Sequence, residues 1–147
     1  MVTVRAAKSD ADLEAFRQVR IAVLPYERAD SVAEMREAEA ARPDEIRVLA
    51  EDETGRLLGH GIAGLSDLPG SAFVAPRVLP DARRRGAGTA LLRVLAAHAA
   101  TLDVPVVRAH LDDPESVPFA ERFGFEEYDR QVEQVREVDA GIPDRAG

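Results

Sequence analysis

Residues 78–92 read VLPDARRRGAGTALL. A strand-like ending passes through Pro80 into Arg83, Arg84 and Arg85, then Gly86, Ala87, Gly88 and Thr89, and from there into an apolar helical pattern. A strand that leads through an arginine- and glycine-rich loop into a helix is an arrangement that binds phosphate. The first backbone N–H groups of the helix have no partner of their own, and the helix dipole favours an anion at that end. Glycines let a phosphate approach the main chain, and arginines add positive charge. No Lys-Ser/Thr follows the glycines, so the loop is not a P-loop. It also lacks the third glycine of a dinucleotide fingerprint. From the loop alone three readings stay open: a grip on a nucleic-acid backbone, a cradle for the phosphates of a small ligand, and a solvated helix start.

The rest of the chain narrows them. Its 147 residues, 46% of them hydrophobic, suffice for one complete domain but not for two ordinary ones. No run of 18 apolar residues is present, which excludes a membrane-spanning helix. The start, MVTVRAAKSD, lacks the charged-then-apolar layout of a secretory signal, so a cytoplasmic protein is expected. With no cysteine there is no disulfide, thiolate metal site or cysteine nucleophile. His60, His98 and His110 are not at metal-ligand spacings, so no metal is expected. A net charge of -8 weighs against nucleic-acid binding, whose affinity comes largely from neutralising phosphates. Of 19 basic residues only Lys8 is a lysine, a skew that makes a lone arginine weak evidence of function.

Along the chain, VTVRAA alternates as a first strand. Ser9 or Asp10 caps a helix over residues 11–23, with Leu13, Phe16, Arg17, Arg20 and Leu24 at helical spacing and Pro25 behind it. A more polar helix is expected over 30–41, before Pro43. IRVLAEDETGRLLGHGIAGLSD reads as a hairpin around Glu53-Thr54-Gly55, and AFVAPRVLP as the next strand of the meander. Pro76 inside that strand has no N–H, which asks for a bulge or for a place where strands part company. The helix after the loop carries an expected stripe of Ala90, Leu91, Val94, Leu95 and His98. VPVVRAHL suits a buried strand in a parallel crossover, and PESVPFAERF a short helix ended by Gly124. FEEYDRQVEQVREV reads as a long strand or hairpin partner, alternating at Val132, Val135 and Val138. One domain over residues 1–139 is expected, with 140–147 a tail.

Two of these stretches resemble the GNAT superfamily of N-acetyltransferases. Its coenzyme A loop reads Arg/Gln-x-x-Gly-x-Gly/Ala after a strand ending in Val-x-Pro, and Val78, Pro80, Arg83, Gly86 and Gly88 match it. About 30 residues on, DDPESVPFAERFGFEEY is similar to the family's second motif, with Asp113 where an Asn often stands and Gly124-Phe125 in place. The resemblance covers residues 2 to about 138. It implies an α/β fold with a mixed, mostly antiparallel central sheet, a splayed strand pair and flanking helices. It implies acetyl-CoA as co-substrate, held by Val78, the loop from Arg83 to Thr89, Asp113 and Phe119. A splayed strand also accounts for Pro76, because the family's cofactor lies along the vacant edge.

The activity so implied is direct transfer of an acetyl group from the thioester to a primary amine of a small molecule or peptide. His110, at the end of the buried strand, and Glu27, in the region that shapes the family's acceptor pocket, are candidate bases. The family's general acid is often a tyrosine four residues before Gly-Phe, and here that position is Ala120. Ser116 or Tyr128 is then the substitute hydroxyl, the thiolate leaves unaided, or the domain is a catalytically silent acyl-CoA-binding or dimerisation lobe. Glu27, Asp30, Glu34, Glu37 and Glu39 would suit a cationic acceptor such as a polyamine, and a solvated acidic helix explains them equally. The valine-rich last strand is placed to pair across a homodimer.

Overall fold

Each of the first two helices is started by a serine. Ser9 accepts from the Asp12 N–H at 3.0 Å while the Asp12 carboxylate takes the N–H of Ser9, a reciprocal cap that opens α1 (Asp10–Val23). Ser31 and Glu34 repeat the device at the start of α2 (Val32–Ala41). The computed structural model describes residues 1–110 in full and the backbone of 126–129 and 133–137. Its strands are β1 (Thr3–Ala6), β2 (Ile46–Glu51), β3 (Leu57–Leu65), β4 (Ser71–Val78), β5 (Val106–His110), β6 (Glu126–Asp129) and β7 (Glu133–Glu137). A short 3-10 turn, Pro80–Ala82, and α3 (Ala87–Ala100) join β4 to β5.

The strands form one sheet in the order β1-β2-β3-β4-β5-β7-β6. All neighbours are antiparallel except β4 and β5, which the α3 crossover makes parallel. This is the expected mixed, mostly antiparallel sheet with flanking helices. One face carries α3 over Val48, Ala63, Val74, Val107 and Ala109, and the other carries Leu13, Phe16 and Met35 of α1 and α2 over Leu49. Among the described residues no helix is long and apolar enough to cross a membrane.

The seat of α3 corrects the expected stripe. Its buried side chains are Ala87, Leu91, Leu92, Leu95, Ala96 and Ala99, whereas Val94 is 37% exposed. The helix is turned so that alanines above and below the leucines let it lie close to the sheet. At the closest point Gly61 has no side chain, and a Cβ there would meet Leu95 Cδ1 at 2.6 Å. His98, placed in the stripe from sequence, is half-buried at its margin and bonds the Asp44 carbonyl through Nε2 at 2.6 Å.

Strand β4 resolves the two alternatives that Pro76 raised. Its ladder to β3 runs without a register break from Leu65↔Ala72 to Gly59↔Val78, through Gly61↔Pro76, so there is no bulge at the proline. The ladder to β5 covers only Ser71 to Val74 among the described residues. Leu79 donates to the Leu58 carbonyl at 2.8 Å, and Ser66 to that of Ser71 at 2.9 Å. These bonds set the alternation: odd-numbered residues of β4 turn their N–H and C=O towards β3, and Pro76 and Val78 turn theirs the other way. Proline therefore removes no β3 bond and stands beyond the last pair between β4 and β5 among the described residues.

The end of the chain departs from expectation in one respect. Instead of one long strand, β6 and β7 form an antiparallel pair, and β7 lies between β5 and β6. Among the described residues β7 therefore has a neighbour on each side, and the sheet's edges are β1 and β6. The expected short helix and tail lie outside the described residues.

Replacing Gly61 with valine would drive a branched side chain into Leu95 and cost about 1–3 kcal/mol in a urea unfolding experiment. The loss should shrink in combination with Leu95→Ala, because one contact causes both effects. Strictly additive losses would mean that α3 is not seated on this glycine.

Candidate active site

The loop that opened the sequence analysis leaves the end of β4 exposed to solvent. Arg84 has φ 66° and Gly86 φ 84°, and these two left-handed residues turn the chain into α3. Gly86 is the N-cap, and with no side chain it supplies no capping acceptor. No acidic residue stands in the first turn of α3, in contrast to Asp12 in α1 and Glu34 in α2. Those two carboxyls are both held at about 2, Asp12 chiefly by the Lys8 N–H and then by Arg5, Glu34 chiefly by Arg28. A Cβ built on Gly86 meets nothing within 4 Å. The end of α3 thus faces open space with its N–H groups and dipole, flanked by exposed Arg83, Arg84 and Arg85. Arg85 is tethered towards Asp52, Nη1 to Oδ2 at 3.9 Å. This donor set fits a pyrophosphate, and the edge of β4 at Pro76 and Val78 runs directly up to it.

On the opposite face of the sheet a cavity of about 270 Å³ adjoins the parted strands. Its apolar surface comes from Phe16, Met35, Ile62, Phe73 and Ala75. Its polar surface comes from Arg17, Arg20, Arg28, Arg47, Arg77, Asp30 and His110. Phe73, Ala75 and Arg77 belong to β4 and His110 to β5, so the cavity is bordered by both strands of the split. His110 is exposed, with its ring centroid 6.1 Å from that of Phe73.

Beneath Phe16 lies His60, fully buried, with its ring stacked at 3.8 Å on the phenyl group. Its Nδ1 donates to the Phe16 carbonyl at 2.8 Å. Burial pushes this imidazole down to about 3, the positive charge of Arg77 adds to that effect, and Arg20 and Arg47 contribute in the same sense. His60 is neutral and lies outside the cavity lining.

The chain's first and second halves meet a single family pattern: residues 13–125 match the acetyltransferase (GNAT) family. The chain belongs to the GNAT family. No curated protein matches it in sequence. Among solved structures it is similar to a phosphinothricin acetyltransferase of Sinorhizobium meliloti in complex with acetyl-CoA, at 23% identity over 92% of this chain and 88% of that one, with a TM-score of 0.73. It is similar to a ribosomal-protein-alanine N-acetyltransferase of Brucella melitensis, at 21% identity over 92% and 99% of the two chains, TM-score 0.72. A GNAT acetyltransferase of Brucella melitensis with acetyl-CoA aligns at 21% identity over 97% and 92%, TM-score 0.63. At such identities the likeness is one of fold. The proteins themselves take different acceptors.

Within the GNAT frame the sequence-based site residues separate into three groups. Val78 and the loop from Arg83 to Thr89 stand together along the edge of β4 and the start of α3. Of the candidate bases, His110 lines the cavity, whereas Glu27 is exposed, does not line it, and holds Arg20 at 2.8 Å. Asp113, Ser116, Phe119 and Ala120 lie outside the described residues, as does the side chain of Tyr128. Of the five acidic residues read as a cationic-acceptor surface, four are engaged by arginines: Glu27 by Arg20 at 2.8 Å, Glu34 and Asp30 by Arg28 at 2.6 and 3.1 Å, and Glu39 by Arg36 at 3.1 Å. What sequence reasoning missed is the arginine lining. Arg17 and Arg20 already stood in the helical stripe of α1, and two arginines on an otherwise apolar stripe were the available signal.

The buried His60 gives stability a definite pH dependence. Its unfolded imidazole binds a proton below about 6.5, and the folded one only near 3, so its contribution is complete above 6.5 and is lost as pH falls through that window. The slope is about 1 kcal/mol per pH unit. Burial pushes the Glu45 carboxyl up, which works in the opposite direction. The comparison with His60→Gln isolates the histidine: between roughly pH 5 and 6.5 the variant's urea midpoint should fall less steeply than that of the unaltered protein. Equal slopes would refute a neutral buried His60.

Proposed function

We propose that the chain moves an acetyl group from acetyl-CoA to a primary amine of a small molecule or peptide by direct transfer, in a domain over residues 1–139 with a tail at 140–147. The observation that carries this reading is the alignment of three features on one split. They are an uncapped, glycine-opened helix end that suits a pyrophosphate, an edge of β4 leading from it that has no pair beyond Val74 among the described residues, and a cavity bordered by β4 and β5. Coenzyme A supplies the acyl group as a thioester. The chain's own groups do the rest. Arg83, Arg84 and Arg85 with the N–H groups of α3 hold the phosphates. The Val78 N–H, directed away from β3, is placed to bond the pantetheine arm or to polarise the thioester carbonyl. The amine nitrogen forms the new N–C bond, the C–S bond breaks, and the sulfur leaves as thiolate.

His110 is the imidazole of the cavity and in this reading takes the proton that the amine nitrogen loses. Its replacement by Gln should lower kcat by about 100-fold, the ordinary contribution of a general base, and leave the KM for acetyl-CoA unchanged. An unchanged kcat would assign the proton elsewhere. Ala120, at the position where the family often has a tyrosine, favours the second reading, a lobe that binds acyl-CoA without using it. A thiol of pKa about 8.5 is nonetheless a tolerable leaving group in water. Thiol release over a broad amine panel separates the two: the silent lobe releases none.

The cofactor assignment has its own test. Acetyl-CoA should raise the melting temperature of the protein, and Gly86→Glu should abolish that rise by placing a negative charge in the cradle. Gly86→Ala bears the same left-handed strain, on the order of 1–2 kcal/mol, without the charge, and should retain it. No shift in the unaltered protein at saturating acetyl-CoA refutes the assignment.

A further inference from the structure

The cavity lining is at odds with the charge of the chain. Acidic residues outnumber basic ones by 27 to 19 overall, yet among the described residues the cavity is lined by Arg17, Arg20, Arg28, Arg47 and Arg77 against one carboxylate, Asp30. These arginines come from α1, the segment before α2, β2 and β4, so no local sequence bias gathers them. Their carboxylate partners stand behind them. Glu14 meets Arg17 at 3.4 Å, Glu27 meets Arg20 at 2.8 Å, Glu34 meets Arg28 at 2.6 Å and Glu45 meets Arg47 at 3.6 Å, and none of the four lines the cavity. Asp30, which pairs with Arg28 at 3.1 Å, is the one partner carboxylate among the described residues that does line it.

We propose that the acceptor carries a compact oxyanion together with its amine, in the manner of an amino acid, and that Arg20, Arg47 and Arg77 receive the oxyanion while the amine is directed to the split between β4 and β5. The assignment rests on the acetyl-transfer reading above for the fate of the amine, but not for the binding of the anion. Three features select these arginines. Arg47 is only 8% exposed and sits over the Phe16 ring at 6.0 Å, so its guanidinium is held in place. Arg20 is 25% exposed and anchored by Glu27. Arg77 stands on β4 beside the vacant edge, opposite His60. All three also act on the buried His60 in the same direction, which places their positive fields together over one floor. A guanidinium offers paired N–H donors that match a carboxylate or a phosphonate. The volume, about 270 Å³, lies at the small end of ligand pockets and fits a metabolite rather than a folded partner. Apolar Phe16, Met35, Ile62 and Phe73 leave room for a side chain beside the charged end.

The test compares acceptors that differ only in the anion. Thiol release from acetyl-CoA is measured with methionine and methioninamide, with glycine and glycinamide, with aminomethylphosphonate, and with spermidine as the cationic counter-example. At least one acid should exceed its own amide by about 10- to 100-fold in kcat/KM. The glycine and aminomethylphosphonate arms tell carboxylate from phosphonate. Arg20→Gln should raise the KM for the preferred acid by a similar factor and leave the KM for acetyl-CoA unchanged, which a general loss of structure would not do. Amides or spermidine turned over as well as the acids overturn the proposal while leaving acetyl transfer intact. If no amine releases thiol, calorimetric titration of the same acids and amides into the acetyl-CoA-loaded protein decides the matter. Acid-selective binding weakened by Arg20→Gln supports the anion site, and equal or absent binding refutes it.

Discussion

Strand β4 is bonded to β3 along its whole length and to β5 only as far as Val74, and the site depends on that inequality. A β-strand presents hydrogen-bonding groups on both edges, and an edge left vacant inside a sheet demands a partner. The alternation fixed by Leu79 and Ser71 puts Pro76 and Val78 on the vacant side. Proline there reduces the number of donors needing a partner without weakening the ladder to β3. The parting also makes room on the far face, where the cavity opens between the same two strands. The edge and the cavity thus lie beside the same pair of strands.

The position of α3 follows from the same region. The crossover that makes β4 and β5 parallel must bring the helix back across the sheet, and Gly61, opposite Pro76, lets Leu95 come down onto the strands. Because α3 begins just past the end of β4, its uncapped N-terminus and the vacant edge are continuous. The other two helices close their N-termini with serine caps and a carboxylate of their own. Those ends are neutralised from within the chain; that of α3 has neither a side-chain cap nor an acidic residue in its first turn.

Legibility in the sequence followed the range of the interaction. The loop Arg83–Thr89 was readable because its chemistry is contiguous: a strand end, charge, glycine and a helix start in fifteen residues. The cap at Ser9, the hairpin at Gly55 and the parallel crossover were local in the same way. Pro76 announced a departure from regular pairing but not which kind, since a bulge and a parting remove the same donor. The buried face of α3 was misjudged because alanine occurs on several sides of that helix, so hydrophobic periodicity alone does not distinguish Ala96 and Ala99 from Ala90. The arginine lining was the least legible. Arg20, Arg47 and Arg77 are far apart in sequence and come to line one cavity only through the registers of β2, β3 and β4 and the packing of α1 on that face of the sheet.

The same registers explain why so many acidic residues proved uninformative about the acceptor. On a helix surface a glutamate has equal access to solvent, to a ligand or to a nearby guanidinium, and its own sequence position does not choose among them. In the folded chain Glu14, Glu27 and Glu34 each take an arginine, at surface positions where such pairs contribute little to stability. Their consequence is one of orientation. An arginine side chain has several rotatable bonds, and a carboxylate behind it restricts where its remaining donors point. Acidic residues outside the cavity thus help to hold a basic interior, and the overall charge of -8 is compatible with a site of the opposite sign. Such a field acts within the cavity, where the low-dielectric walls of Phe16, Ile62 and Phe73 limit screening, and fades over the solvated surface. Net charge describes how the molecule meets solvent; the acceptor meets only the charges that the sheet turns towards it.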